Sequence, residues 1–438
     1  GGDGCAAAHY LRQLGHAPEI WRVAVAEIRS APARRCFERA AKDSPVHRGV
    51  PTAATLAEFP LVIDAILGAG HRAPLRPEYA AAVHAIRASG APTLSIDTPT
   101  GLEDPQGLTA RWTVALTAPK AEVPADRAGE VVVRDIGIPP SAWTETGPGE
   151  FLAFDPAAAD PVPPRGGRIV VVGGGPYAGA PALVGLAALR CGAERATLLV
   201  PERAFGAVQG FAMDLVVRSV GGTHFAPTDV TSAWTELQAG PVAAVVAGPG
   251  AGHDPGTVDF FRELLPSIDF ATPLVVDADA LPALFDEGDR PLLAGRPVLA
   301  TPNAGELRRL LATHPALALD PAAEGSVPAL ARILGVTLVA KGPEDRIEDG
   351  TRSARNRHHP RSMAVAGSGD VLSGVLGALL ARGLSPWEAA RLGTYWAGEA
   401  GHRVAATRGP GLLATDLLEA LAPVGRAGLD RVRTALAA

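Results

Sequence analysis

The chain has 438 residues, 47% hydrophobic and 20% charged, the composition of a soluble globular protein long enough for two or three cores. Lys and Arg number 40 against 46 Asp and Glu, a net charge of −6, which excludes a general attraction to nucleic acid or to an anionic membrane and points to small-molecule partners. Three cysteines, Cys5, Cys36 and Cys191, form no CxxC pair and leave an odd count, so a disulfide framework or zinc site is not indicated and a cytoplasmic location is expected.

In chain order, the first residues, Gly1-Gly2-Asp3-Gly4, have neither the basic region nor the apolar stretch of a signal peptide, and the missing methionine predicts an upstream piece. A helix from Cys5 to Leu14 closes at Gly15, and another from Pro77 to Ala88 closes near Gly90. Ile20 to Val25, Leu61 to Asp64, Thr93 to Asp97, Trp112 to Thr117 and Glu130 to Val133 read as strands, so a parallel α/β domain is expected over 1–145. Proline and glycine without periodicity predict a linker over 146–164. A second α/β domain, 165–438, carries strands at Ile169 to Val172, Ala196 to Val200, Val242 to Val246, Leu274 to Asp277, Val298 to Thr301 and Val336 to Lys341. Its clearest helix, Asp370 to Arg382, shows an apolar stripe from Val371 to Leu380 and ends at Gly383, and Ser385, Pro386 and Glu388 form a capping box for the next helix.

Chemistry concentrates where these strands end. Gly367-Ser368-Gly369-Asp370 opens a helix, where free amides and the positive helix end can face a phosphate, and Asp370 can take the proton of an attacking hydroxyl. The same residues also suit a plain helix cap, and both readings stand at this point. Lys341-Gly342-Pro343-Glu344-Asp345 follows a strand, the place where open α/β sheets bind ligands, although a lysine on a surface turn has the same pattern. Gly248 to Gly252 would let backbone approach a ligand closely. Gly173 to Ala178 fits G-x-G-x-x-A, but Pro176 and Tyr177 crowd the turn, and the next strand-end acid lies beyond the roughly 20-residue spacing of a dinucleotide fingerprint. In the first domain Asp64 precedes Gly68 and Gly70, and Asp97 precedes Thr98-Pro99-Thr100-Gly101, two strand-end acids that can hold a monovalent cation and a phosphate-bearing ligand or simply cap a turn.

Taken in order, these motifs resemble the bifunctional NAD(P)H-hydrate epimerase and ADP-dependent NAD(P)H-hydrate dehydratase family over nearly the whole chain. The resemblance implies a Rossmann-like epimerase domain followed by a ribokinase-like α/β domain. In the second domain it rests on Gly179-Ala180-Pro181, Gly248 to Gly252, Asp277 to Leu281, Thr301 to Glu306, Lys341-Gly342 and Gly367 to Asp370. It implies that Ala180, Gly250 and Asn303 line the hydrated nicotinamide site, that Lys341, Gly342, Pro343, Glu344, Asp345, Gly367, Ser368 and Gly369 hold the adenine nucleotide, and that Asp370 contacts substrate and acts in catalysis. In the first domain it rests on Gly1 to Gly4, Asp64 with Gly68 and Gly70, Asp97 to Leu102, and Lys120. There it implies a K+ site at Asp64 and Thr100, with Gly1, Gly2, Asp3, Gly68, Gly70 and Asp97 on the substrate and Asp97 catalytic. The family carries two asparagines just before the position of Gly1, one a potassium ligand, so this domain is expected to be truncated at its start. Thr100 stands where the family has serine, Asn303 where it has histidine, and Ser368 where it has threonine.

The expected reaction is removal of the C6 hydroxyl of (6S)-NADHX or NADPHX, with ADP and Mg2+, giving NAD(P)H, AMP and phosphate, coupled to exchange of the R and S epimers. A homo-oligomer is expected. The alternatives are a ribokinase-like kinase that phosphorylates a vitamin-like alcohol, or a nucleotide-binding module without catalysis.

Overall fold

The computed structural model describes residues 2–24, 28, 30–68, 74–102, 104–120, 123–154, 166–286 and 288–437. They divide into two units, Gly1–Pro139 and Pro140–Ala437.

In the first unit β1 (Ile20–Arg22) pairs in parallel with β2 (Val46–Arg48). A parallel four-stranded sheet follows in chain order, with β3 (Val62–Asp64), β4 (Thr93–Ile96), β5 (Trp112–Leu116) and β6 (Glu130–Arg134). The helix Pro77–Ser89 runs from proline in its first turn to Gly90, whose φ of 67° is the left-handed stop that glycine supplies best. The first helix spans Gly2–Gln13, starting earlier than its apolar pattern indicated. Three helices of the first unit went unread in the sequence, Ala31–Ala40, Ala53–Ala57 and the single turn Ala125–Ala128. The first two carry their signal in the residue just before them: Ser30 accepts from the Ala33 amide and Thr52 from the Thr55 amide.

The second unit is built on a nine-stranded sheet. Its strands are β7 (Arg168–Val172), β8 (Arg195–Val200), β9 (Leu215–Ser219), β10 (Ala244–Ala247), β11 (Leu274–Val276), β12 (Val298–Ala300), β13 (Thr337–Ala340), β14 (Asp345–Glu348) and β15 (Ser353–Asn356). The spatial order is β15-β14-β13-β12-β11-β10-β7-β8-β9, parallel except for the antiparallel β13-β14-β15 edge. Helices cover both faces, which is why the central strands read as unbroken apolar runs. Successive β7 side chains serve opposite cores. Ile169 and Val171 pack with the helices Gly179–Arg190, Ser368–Ala381 and Pro386–Arg408, whereas Val170 and Val172 pack with the helix Pro255–Ser267. All four are fully buried, which stabilises the fold by about 1.5–3 kcal/mol each. The helix Ser368–Ala381 lies against Gly179–Arg190 so closely that a Cβ on Gly374 would stand 2.3 Å from the Val184 carbonyl oxygen.

Residues 140–145, expected in the first domain, group with the second unit, and 146–154 of the expected linker pack onto it. Thr146 donates its amide to the Arg355 carbonyl at 2.9 Å and its hydroxyl to Asn356 Oδ1 at 2.8 Å, extending the β15 edge. Phe151, 1% exposed, packs its ring 5.2 Å from that of Trp396. Two buried phenylalanines, Phe151 and Phe154, outweigh the proline and glycine punctuation around them. The rest of the expected linker, 155–164, lies outside the described residues.

Candidate functional site

A parallel sheet delivers the carboxyl ends of its strands to one rim, and in both units the acids singled out in the sequence stand there. In the first unit Asp64 ends β3 and is 1% exposed. Its Oδ1 accepts from the Thr100 hydroxyl at 2.7 Å and the Ile66 amide at 3.3 Å, and its Oδ2 from the Thr100 amide and the Ser95 hydroxyl, both at 2.9 Å. Burial pushes the Asp64 pKa up, and the bonds from Thr100 and Ser95 oppose it. Asp97 follows β4 with a φ of 70°, a strained conformation for a residue with a side chain, and its Oδ1 lies 2.5 Å from Lys120 Nζ. Lys120 also donates to the Leu116 carbonyl at 2.7 Å. A Cβ on Gly68 would lie 3.6 Å from Asp97 Oδ2, and one on Gly4 would lie 2.4 Å from the Ala65 side chain. Gly2 and Asp3, in the first turn of the helix Gly2–Gln13, are therefore carried to the Asp64 end of the sheet. Gly1 and Gly70 lie outside the described residues.

We expect Asp64→Ala to loosen this rim strongly. Four donors lose their acceptor in a buried site, at about 1–3 kcal/mol for each one left unsatisfied. Hydrogen exchange of peptides over 62–100 should accelerate at least about tenfold, while peptides of the second unit keep their rates. Unchanged exchange over 62–100 would show that Asp64 is not the hub of this rim.

In the second unit the rim is assembled from loops after β7, β10, β11, β12 and β13 and from the start of the helix Ser368–Ala381. Gly250, at φ 68°, comes so close to the turn before Gly179–Arg190 that a Cβ there would stand 2.4 Å from the Tyr177 carbonyl oxygen and 2.8 Å from Ala180 Cβ. Ala180 and Gly250 thus lie side by side on this rim. Gly367 begins the helix in the left-handed region at φ 89°. The Ser368 hydroxyl turns back to donate to the Val365 carbonyl at 2.9 Å, and the amides of Gly369 and Asp370 have no protein acceptor among the described residues. These are the orphan donors of a helix start, open to an anion.

Asp370 caps nothing: among the described residues its carboxylate accepts no hydrogen bond, which removes the helix-cap reading. Burial, reinforced by the negative charge of Asp277, pushes its pKa up to about 7, against the pull of the Lys341 ammonium, and Asp279 and Glu306 push it further in the same direction. Lys341 sits beside it, with Nζ 2.8 Å from Asp277 Oδ1, 4.0 Å from Glu306 Oε2 and 3.2 Å from where a Cβ on Gly369 would stand. Burial works against the ammonium, but Asp277, Glu306 and Asp370 outweigh it and hold its pKa above that of an ordinary lysine. The Ser373 hydroxyl donates to Asp277 Oδ2 at 2.7 Å.

Not every expected residue faces this cluster. Asn303 caps the helix Ala304–Ala312, its Oδ1 accepting from the Gly305 and Glu306 amides at 2.9 Å, so its side chain is engaged in its own helix. Gly342 and Pro343 form the β13–β14 hairpin turn, where the Gly342 amide donates to Asp345 Oδ1 at 3.2 Å. Glu344 is bound by Arg355 and Arg357, and Asp345 Oδ2 accepts from Asn356 at 2.9 Å. Within the stretch 341–345 it is Lys341 whose side chain reaches Asp277 and Asp370. Ser373 escaped the sequence reading. Its signal is a polar residue one turn after Asp370 on an otherwise apolar helix.

The family model for NAD(P)H-hydrate dehydratase matches residues 169–423, and the model for the YjeF-related protein N-terminus matches residues 1–122. The bifunctional NAD(P)H-hydrate repair enzyme Nnr of Pyrobaculum aerophilum is 33% identical over 97% of this chain and 87% of its own length. Among solved structures, a ribokinase-like superfamily protein from Enterococcus faecalis aligns with a TM-score of 0.51 at 21% identity, covering 60% of this chain and 87% of that one. The ADP/ATP-dependent NAD(P)H-hydrate dehydratase of Bacillus subtilis, co-crystallized with ATP and Mg2+, aligns with a TM-score of 0.50 at 19% identity, covering 64% and 98%. These two likenesses establish a ribokinase-like fold for the second unit, and with both family models and the full-length relative they lead to one conclusion: the chain belongs to the family of bifunctional NAD(P)H-hydrate repair enzymes.

Proposed function

We propose that the second unit dehydrates the S form of hydrated NADH and NADPH with consumption of ADP, and that the first unit interconverts the two C6 epimers. The observation that carries the dehydratase reading is the Asp370 carboxylate at a helix start, without a hydrogen-bond donor among the described residues, beside open amides and Lys341.

Asp370 takes the proton of the C6 hydroxyl as its oxygen bonds to the β-phosphorus of ADP, and AMP leaves with the electrons of the broken P–O bond. The C6–O bond then breaks with loss of phosphate and of a proton from the adjacent carbon, which leaves the ring double bond of NAD(P)H. The Gly369 and Asp370 amides and the Lys341 ammonium would hold the transferred phosphoryl group, while Gly250 and Ala180 leave room for the nicotinamide ring. Three acids, Asp277, Glu306 and Asp370, act on one lysine on this rim, and Asp279 adds its charge at Asp370, a surplus of negative charge that suits a nucleotide arriving with a cation. Mg2+ held on the phosphates would neutralise their charge. In the first unit the buried Asp64 carboxylate meets the Thr100 hydroxyl and, among the described residues, no ion-pair partner; this oxygen pair would hold K+, with Asp97 and Lys120 on the substrate side. The three cysteines are free, which supports a cytoplasmic enzyme. No described helix is long and apolar enough to cross a membrane.

The test incubates the full chain with hydrated NADH, Mg2+ and either ADP or ATP and follows the return of the reduced nicotinamide absorbance. ADP is expected to support the faster rate and to yield AMP and free phosphate. A stable phosphoester of the dinucleotide would make the chain a kinase. Equal or better rates with ATP would overturn the nucleotide assignment.

A further inference from the structure

We propose that Asp277 is the positioning residue of the dehydratase centre, one carboxylate that clamps the Lys341 ammonium to the helix bearing Asp370 so that the lysine addresses the phosphoryl group instead of the base. This rests on the dehydratase reading above. Asp277 follows β11 and is 1% exposed, yet its side chain caps no amide of the short helix Ala278–Leu284 that starts after it. It reaches across the rim in two directions. Oδ1 accepts from Lys341, which ends β13, at 2.8 Å, and Oδ2 accepts from Ser373 at 2.7 Å. Ser373 lies three residues after Asp370 on the same helix, hence on the neighbouring stripe of its surface. The clamp is tied to the sheet: the Asp277 amide donates to the Ala247 carbonyl at 3.0 Å, and its carbonyl oxygen sits 1.9 Å from where a Cβ on Gly248 would be, so the β10 loop packs directly on its backbone.

The geometry explains why a second acid is needed. The charged groups facing Asp370 are Asp277 and Asp279 after β11, Glu306 on the helix Ala304–Ala312 and Lys341 after β13. One lysine amid these acids would settle against Asp370 and take away its capacity to accept a proton. Asp277 matches the ammonium at hydrogen-bond distance and, by its own charge, keeps Asp370 a competent base. A lysine offers three N–H donors, and Asp277 takes one, which leaves the others for a ligand.

The test uses the full chain carrying Asp277→Asn, Ser373→Ala or Asp277→Glu. Readouts are kcat, KM for ADP, and the carboxyl 13C titration of Asp370, identified by its loss in Asp370→Asn. In Asp277→Asn, kcat is expected to fall at least about tenfold, KM for ADP to rise as the freed lysine leaves the phosphates, by less than in a chain that lacks the lysine, and Asp370 to titrate at lower pH. Ser373→Ala keeps the charge, so it should leave the titration in place and lower kcat several-fold. An unmoved Asp370 titration in Asp277→Asn overturns the proposal. If that variant does not fold, Asp277→Glu keeps the charge but displaces it by one methylene. Its kcat must then fall while the Asp370 titration stays, and a wild-type kcat overturns the proposal. The titration needs no turnover. A wild-type chain that does not dehydrate its substrate therefore refutes the function, while Asp277 is still judged.

Discussion

Asp370→Asn is expected to lower kcat for dehydration by about 10²- to 10⁴-fold, the usual loss when a general base is removed. ADP should bind as tightly as before or slightly more tightly, because a negative charge beside the phosphates is gone. Asparagine has nearly the same volume and keeps an oxygen in place, so the helix start is preserved; what is lost is the ability to accept a proton. The structure sharpens this test, since Asp370 accepts no hydrogen bond among the described residues and its replacement breaks no cap. A variant that retains more than roughly a third of the wild-type rate would remove Asp370 from the mechanism.

The same carboxylate sets a pH dependence whose sign follows from its environment. Burial and the charge of Asp277 raise its pKa to about 7 from the ordinary 3.8. The base form is the ionised one, so kcat should rise with pH through about 7 and fall on the acid side. Stability runs the other way. Between 3.8 and about 7 the folded chain binds the proton more tightly than the unfolded chain, so this contribution is fully present at low pH and is lost as pH rises through the window. Above it, Asp370→Asn should be more stable than wild type by on the order of 1–3 kcal/mol in thermal or urea unfolding, a difference that vanishes below the unfolded pKa. A stability gap that stays constant with pH would contradict the raised pKa.

What could be read from the sequence follows from how local each signal is. Asp64, Asp97, Asp277, Lys341 and the Gly367 to Asp370 helix start each carry their own punctuation, a short apolar run followed by an acid, a lysine or glycines. A parallel sheet then gathers such strand ends without further information. The edge strands β14 and β15, with the sequences Asp-Arg-Ile-Glu and Ser-Ala-Arg-Asn, have no apolar period. They form through antiparallel pairing and through ion pairs that no short window could supply in isolation, as when Glu344 meets Arg355 and Arg357. Glu145 reaches Arg357 at 2.7 Å from more than 200 positions away, a pairing that only the folded edge brings about. The link from Asp277 to Ser373 spans 96 positions and shows only once the helix is laid on the sheet. Asn303 illustrates the reverse limit: its place in the chain was legible, but the direction of its side chain, into its own helix, was not.

Lys341→Met should separate the lysine's two duties. Methionine fills much the same space without the charge, so the change removes a cation and little volume. A charge-assisted hydrogen bond to phosphate is worth about 1.5–3 kcal/mol, so KM for ADP is expected to rise about 10- to 100-fold, read from initial rates at saturating hydrated NADH. The buried Asp277 carboxylate loses its ionic partner at the same time, and breaking a buried pair from one side costs about 3–5 kcal/mol, visible as a lower urea midpoint. The two losses can be told apart by pH. Lys341 pulls the Asp370 pKa down, so without it the acid limb of kcat should move to higher pH, opposite to the shift expected for Asp277→Asn. Arginine is no substitute, because its longer planar fork cannot occupy a pocket where the ammonium lies 2.8 Å from Asp277 and 3.2 Å from where a Cβ on Gly369 would stand. A lower urea midpoint with an unchanged KM for ADP and an unmoved acid limb would reduce Lys341 to a structural partner of Asp277 and take it out of the nucleotide site.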